Sequence, residues 1–202
     1  MIYCNRGCDN RMTMLANYIT SFLVRYRLVE PKENEWCAYL IESRLTQMIS
    51  IPFLILVGSV IAPLDRVIIL NLGMIFLRPK TNGYHAKTFA GCMLFSLALE
   101  LAALACLAYM NSDIAWIALG IAVATVLAFG PDNNPQVHYS EEEYRKLRQR
   151  MHTALLAYFL LCSILIYLLP NWAHSLIMAL LADAFLLIFA RVVRCIQRRF
   201  VP

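Results

Sequence analysis

The chain has 202 residues, of which 60% are apolar and 15% charged, with a net charge of +5 and a mean hydropathy of +0.60. A soluble domain carries about 25% charged residues spread over its surface, whereas here the charges cluster between long apolar runs. These proportions exclude an ordinary soluble domain: the medium is the lipid bilayer, with no nucleic-acid partner expected.

The seven cysteines are Cys4, Cys8, Cys37, Cys92, Cys106, Cys162 and Cys195. Their odd number, and the position of Cys92, Cys106 and Cys162 inside apolar runs, do not describe a secreted disulfide framework. Cys4 and Cys8 have metal-like spacing but no neighbouring His or second Cys pair. Neither a metal nor another cofactor is therefore expected.

Residues 1–44 are too mixed to form a span or a cleavable signal. Leu15, Ile19, Phe22 and Tyr26 recur at helical spacing with Asn17, Arg25 and Arg27 elsewhere around the wheel. Pro31 interrupts, and a second helical stretch with Trp36 and Leu40 follows. Amphipathic helices of this kind lie on a membrane surface. Anchoring is the preferred reading, and docking of an amphipathic peptide is the sharper one.

A helix needs roughly 20 residues to cross the hydrocarbon core. Six spans are predicted, over 45–62, 66–79, 88–110, 114–130, 152–169 and 173–191. The fold class is thus all-α: a polytopic membrane bundle of about six helices, forming a single membrane domain. Basic residues sort with the connections. Arg6, Arg11, Arg25, Arg27, Lys32 and Arg44 precede the first span, while Arg78, Lys80 and Lys87 follow the second. Arg145, Lys146, Arg148 and Arg150 precede the fifth; Arg191, Arg194, Arg198 and Arg199 close the chain. Opposite connections hold only Arg66. The positive-inside rule then puts both termini, the 131–151 loop and the basic tail 192–202 in the cytoplasm. The second span is short, and this alternation requires it to cross.

In the 131–151 loop, Pro131 and Pro135 mark a turn without regular structure. Ser140 and Glu143 have capping-box spacing, and Glu141–Arg145 and Glu142–Lys146 have ion-pair spacing. A short helix is expected here, running directly into the fifth span.

The chemistry concentrates in 78–92. His85 precedes Cys92 by seven residues, Gly83 and Gly91 flank the pair, and Arg78 leads the group. Thiolate is the attacking form of cysteine, and imidazole is a suitable base. Residues seven apart on one helix lie about 10 Å apart along the axis, too far for proton transfer, which needs about 3 Å or one water. Pairing therefore requires 83–87 to leave helical geometry. Thr88 is the expected N-cap of the third span, placing Cys92 where the helix dipole favours thiolate. Cys37, Cys106, Cys162 and Cys195 lack such surroundings and read as small apolar side chains. His138, His152 and His174 read as interface residues.

The pattern Arg78-x4-Gly83-x-His85-Ala86-x5-Cys92 between apolar spans resembles the accessory gene regulator B (AgrB) family of membrane cysteine peptidases. Weaker matches are Tyr39-x2-Glu42 before the first span and Pro131-x3-Pro135 after the fourth. Asn82 stands where the family often has a second glycine. The resemblance implies catalytic His85 and Cys92 near the cytoplasmic face of the cell membrane. It further implies a small precursor peptide with an acidic C-terminal tail, which Cys92 severs through a thioester that closes to a thiolactone or lactone signal. Family members form homodimers, and the apolar faces here allow the same.

Other residues have supporting roles in this reading. Gly83 loosens the backbone at the site. Arg78 binds the acidic tail or the oxyanion, or else anchors the short span; the two readings have equal weight. Ser96, one turn beyond Cys92, either hydrogen-bonds into the site or back-bonds to its helix. Glu100 and Asp183 lie inside apolar spans, where acids are costly enough to imply a role. They also invite the rival reading of a small transporter or peptide exporter. No paired internal repeat supports that alternative. A third reading is a membrane adaptor or sensor.

Overall fold

In the computed structural model the described residues are 10–30, 34–81, 89–131 and 140–200. The N-terminal cysteines Cys4 and Cys8, the segment holding Asn82, Gly83, His85 and Thr88, and Pro135 and His138 lie outside them. Among the described residues seven helices run in order: α1 Asn10–Arg25, α2 Asn34–Gly58, α3 Leu64–Thr81, α4 Phe89–Leu107, α5 Ser112–Phe129, α6 Glu141–Leu168 and α7 Pro170–Phe200. Five of the described helices are long and apolar enough to cross a membrane, over Leu40–Gly58, Ala90–Leu107, Ser112–Phe129, Glu141–Leu168 and Pro170–Ile196. The all-helical polytopic architecture expected from composition is the one observed.

The helices group into two compact units. One contains Met1–Leu54 and Ala86–Ser96; the other contains Ile55–His85 and Leu97–Pro202.

In the first unit, α1 ends without a glycine. Arg27 takes a left-handed conformation with φ 57°, and the Leu28 amide donates to the Leu23 carbonyl at 3.0 Å, as in a Schellman stop. Ala16 and Thr20 face inward, and the Thr20 hydroxyl donates to the Ala16 carbonyl at 2.7 Å. The apolar stripe read as a membrane-surface or docking face is turned outward: Leu15, Phe22 and Tyr26 are exposed, together with Met14 and Tyr18. Small residues make the contact because they permit close approach, leaving the larger apolar side chains outward. The Thr13 hydroxyl donates to Glu42 Oε1 at 3.0 Å, tying α1 to α2.

No break in the helix marks the boundary expected near residue 44. Instead α2 runs unbroken for 25 residues and ends at Gly58 rather than at 62. Nothing between Asn34 and Ile51 breaks a helix, and Pro52 is accommodated within it. The interfacial stretch and the first span are one element.

In the second unit α3 runs parallel to α7. Trp172 Nε1 donates to Asp65 Oδ2 at 3.0 Å and Arg66 Nη2 donates to Asn171 Oδ1 at 2.7 Å. Farther along, Gly73 is so close to α7 that an added Cβ would lie 2.7 Å from that of Ala179. Thr81 meets Asp183 at the far end. Opposite in direction is α6, whose Tyr158 hydroxyl donates to the Leu176 carbonyl at 2.8 Å. It joins α7 through Leu169 alone, since Pro170 lacks the amide to continue α6 yet suits the first position of a new helix.

Likewise α5 is antiparallel to α6: Trp116 packs near Tyr167, and Gly130 against Met151. Its C-terminus is capped from α7, where Arg191 donates to the Phe129 carbonyl at 3.1 Å. The core is Leu119, Val126, Leu155, Ile177, Leu180 and Leu187 with their neighbours. A second cluster, Val67, Leu70, Ala103, Leu104 and Leu107, joins α3 to the C-terminal part of α4.

The short helix before the fifth span runs directly into it as expected, forming α6, and opens with the anticipated capping box: Ser140 N and Oγ donate to Glu143 Oε2 at 2.9 and 2.8 Å. The expected Glu142–Lys146 pair forms at 2.7 Å. The basic tail is no separate segment either, since α7 carries helix through it to Phe200.

Candidate active site

Cys92 sits in the first turn of α4, which begins at Phe89, and is half-buried and free. Ser96, one helical turn later, is also half-buried. Both belong to the unit that contains α1 and the first part of α2, including the Thr13–Glu42 hydrogen bond. His85 and Gly83 fall outside the described residues, as does the expected departure of 83–87 from helical geometry.

Glu100 has a partner that the sequence did not disclose. It is 6% exposed, and the Asn71 side-chain amide donates to its Oε1 at 2.9 Å while also donating to the Val67 carbonyl at 3.0 Å. The carboxylate is thereby held against α3. Its position is crowded, since a Cβ on Gly58 would lie 2.9 Å from Oε1.

Arg78 stands half-buried in the last turn of α3. Asp183 is fully buried, and its Oδ1 accepts from the Thr81 hydroxyl at 3.0 Å. Asp183 and Thr81 thus form a polar pair between α3 and α7. Asn71 and Thr81 went unremarked in the sequence. The available signal was a polar residue in each half of a short apolar helix, answering the acids in two other spans.

Among the cysteines, Cys37 and Cys162 are buried as small apolar side chains, but Cys106 and Cys195 are exposed. For Cys106, within the apolar part of α4, exposure is to the medium around the bundle, which a thiol tolerates as well as a core. Among the described residues, no three His, Cys, Asp or Glu side chains gather as metal ligands.

Comparison with curated proteins and with solved structures finds no match. The family model described as accessory gene regulator B matches residues 16–189, from within α1 well into α7. That span takes in Arg78, His85, Cys92, Glu100 and Asp183 together with the first four apolar helices and most of the fifth. The chain belongs to the accessory gene regulator B family, whose membrane proteins take part in processing quorum-sensing peptides.

Proposed function

We propose that this protein is a membrane-embedded cysteine endopeptidase that removes the C-terminal tail of a small precursor peptide and promotes its cyclisation. The observation that carries the reading is Cys92 in the first turn of α4, seven residues after His85, within a chain matched to the family from 16 to 189. His85 takes the thiol proton, and the Cys92 sulfur attacks the carbonyl joining the body of the precursor to its tail. The tail leaves as an amine, taking the proton from the imidazolium. The resulting thioester passes to a thiol or hydroxyl of the precursor, closing the ring and freeing Cys92. Thioester exchange onto a thiol is near-isoenergetic, so closure depends on holding the acceptor close and excluding water.

Arg78 meets the acidic tail in this scheme, and Gly83 and Ser96 support the site. The N-terminal helices share a compact unit with Cys92, which favours a docking role for the exposed apolar face of α1. In this reading the site and both termini lie on the cytoplasmic side, which the distribution of basic residues supports. A homodimer is compatible with the apolar faces. The transporter reading rested on the intramembrane acids, and both now have partners in the bundle, Asn71 for Glu100 and Thr81 for Asp183.

The test is co-expression with a tagged precursor peptide carrying an acidic C-terminal tail. Cys92→Ser and His85→Ala are expected to reach the membrane at wild-type level and to abolish tail removal. Processing that continues unchanged in either variant overturns the assignment.

A further inference from the structure

The helices of the second unit end at different depths. At the end of α5, a Cβ on Gly130 would lie 2.8 Å from Met151 Sδ of α6 and 3.5 Å from Leu187 of α7, so these residues share one level. The shorter α3 has stopped by then, at Thr81 beside Asp183. Past that level, residues 141–150 of α6 and 188–200 of α7 continue as helix for about 15 and 20 Å, at about 1.5 Å per residue. Two braces tie this projection to the end of α5. Arg191 Nη2 donates to the Phe129 carbonyl at 3.1 Å, and the Tyr144 hydroxyl donates to the Pro131 carbonyl at 3.0 Å.

The projection carries eight arginines and lysines against three glutamates, a surplus of five that equals the +5 net charge of the whole chain. The rest of the sequence is neutral in sum. Glu142 is taken up by Lys146 at 2.7 Å and Glu143 by the Ser140 cap, while Arg145, Arg148 and Arg150 on α6 are exposed. On α7, Ile188, Val192 and Ile196 recur four residues apart, so they share one face, and all three are exposed. A helix end surrounded by water is polar all round. Cations beside an apolar stripe suit instead the headgroup layer, which adds about 5–7 Å to each side of the hydrocarbon core. With its 18 residues α5 is about 27 Å long, so its end lies near the edge of that core and the arginines just beyond it.

We propose that the projecting ends of α6 and α7 are a docking surface for anionic phospholipids: their headgroup phosphates pair with Arg145, Arg148 and Arg150, and their acyl chains lie against Ile188, Val192 and Ile196. Clusters of about four to eight basic residues beside a span attract anionic lipid in this way. An acidic peptide fits less well, because the arginines stand at the depth where phosphates are already concentrated. The surface lies wholly within the second unit and owes nothing to the endopeptidase reading.

The experiment compares spin-labelled phosphatidylglycerol with spin-labelled phosphatidylcholine in phosphatidylcholine proteoliposomes holding the full-length protein. Electron paramagnetic resonance reads the fraction of each label held at the protein surface. The wild type is expected to hold phosphatidylglycerol about threefold more strongly, a preference that falls toward unity between about 0.1 and 1 M salt. Replacing Arg145, Arg148 and Arg150 together by Gln is expected to remove most of the preference. Arg66→Gln, at the opposite end of the bundle, is expected to leave it unchanged.

Equal retention of the two lipids by the wild type overturns the proposal, as does full preference in the triple variant or an equal loss in Arg66→Gln. If the triple variant does not insert, Arg148→Gln alone is expected to cut the preference to about twofold, and an unchanged value overturns the proposal. Binding of a soluble acidic heptapeptide that the triple variant loses, with lipid preference intact, assigns the surface to a peptide and likewise overturns it.

Discussion

Asn71 and Glu100 show how polar side chains are accommodated inside this bundle. Each is nearly inaccessible, and each satisfies the other at 2.9 Å. Removing one partner leaves a buried polar group unpaired, which costs about 1–3 kcal/mol, whereas replacing both by apolar groups of similar shape is close to neutral. Asn71→Leu and Glu100→Leu are therefore expected to be destabilised by about 1–3 kcal/mol each in reversible unfolding from detergent micelles, and the double variant by clearly less than their sum. Additive losses would show that the two side chains do not depend on each other. Sequence reading marked Glu100 because an acid in an apolar run is conspicuous. It passed over Asn71 because one amide in a helix is ordinary until its neighbour is known. Cys92 was singled out for a different reason, its spacing from His85, Gly83 and Arg78, which is a property of the sequence.

At the scale of the element, α3 is the instructive case. Its 18 residues make a helix of about 27 Å, close to the ~30 Å hydrocarbon core. Yet Asp65, Arg66, Arg78 and Lys80 at its ends leave it too charged to stand among the five apolar helices. Its position beside α7 resolves this: contacts run from Asp65–Trp172 through Gly73–Ala179 to Thr81–Asp183, so α3 extends alongside a long apolar span. Protein covers the face of α3 that carries Val67, Leu70, Asn71, Gly73, Leu77 and Thr81. The close approach at Gly73 makes the contact sensitive to volume. Gly73→Val is expected to cost about 1–3 kcal/mol of stability through overpacking against Ala179 and the Tyr158 hydroxyl. A substitution to valine at Gly120, whose added Cβ meets nothing within 4 Å, is the control. Equal losses at the two glycines would show that helix propensity, not packing, sets the effect.

Over the whole molecule, the directions of the helices in the second unit make an alternating pattern. There α3, α5 and α7 point one way and α6 the other, with the C-terminal part of α4 also opposed to α3. This is the order that the basic residues had required of successive spans. It follows that the 59–63 and 108–111 turns and the α6–α7 junction lie at one face, and the end of α5 and the start of α6 at the other. The positive-inside reading predicts that Ser59→Cys and Asn111→Cys in a cysteine-depleted variant react with a membrane-impermeant thiol reagent applied to intact cells. Arg145→Cys is expected to react only after lysis. Labelling of Arg145→Cys from outside would invert the topology, and labelling of all three would show that the bundle does not sit across the membrane as described.

By itself the sequence determined the solvent, the helical class, the approximate spans and the His–Cys segment. Each of these is local: apolar run length, charge at the run ends and short spacings are complete within a few dozen consecutive residues. Tertiary structure decided which residues answer one another across helices, as Asn71 does Glu100 and Thr81 does Asp183. It also decided that α2 and α7 continue through boundaries where composition changes, because a helix stops only when its backbone is broken or capped, not where polarity shifts. The face of α1 that packs was likewise its decision, since hydrophobic periodicity names an apolar side without saying whether protein or membrane will cover it.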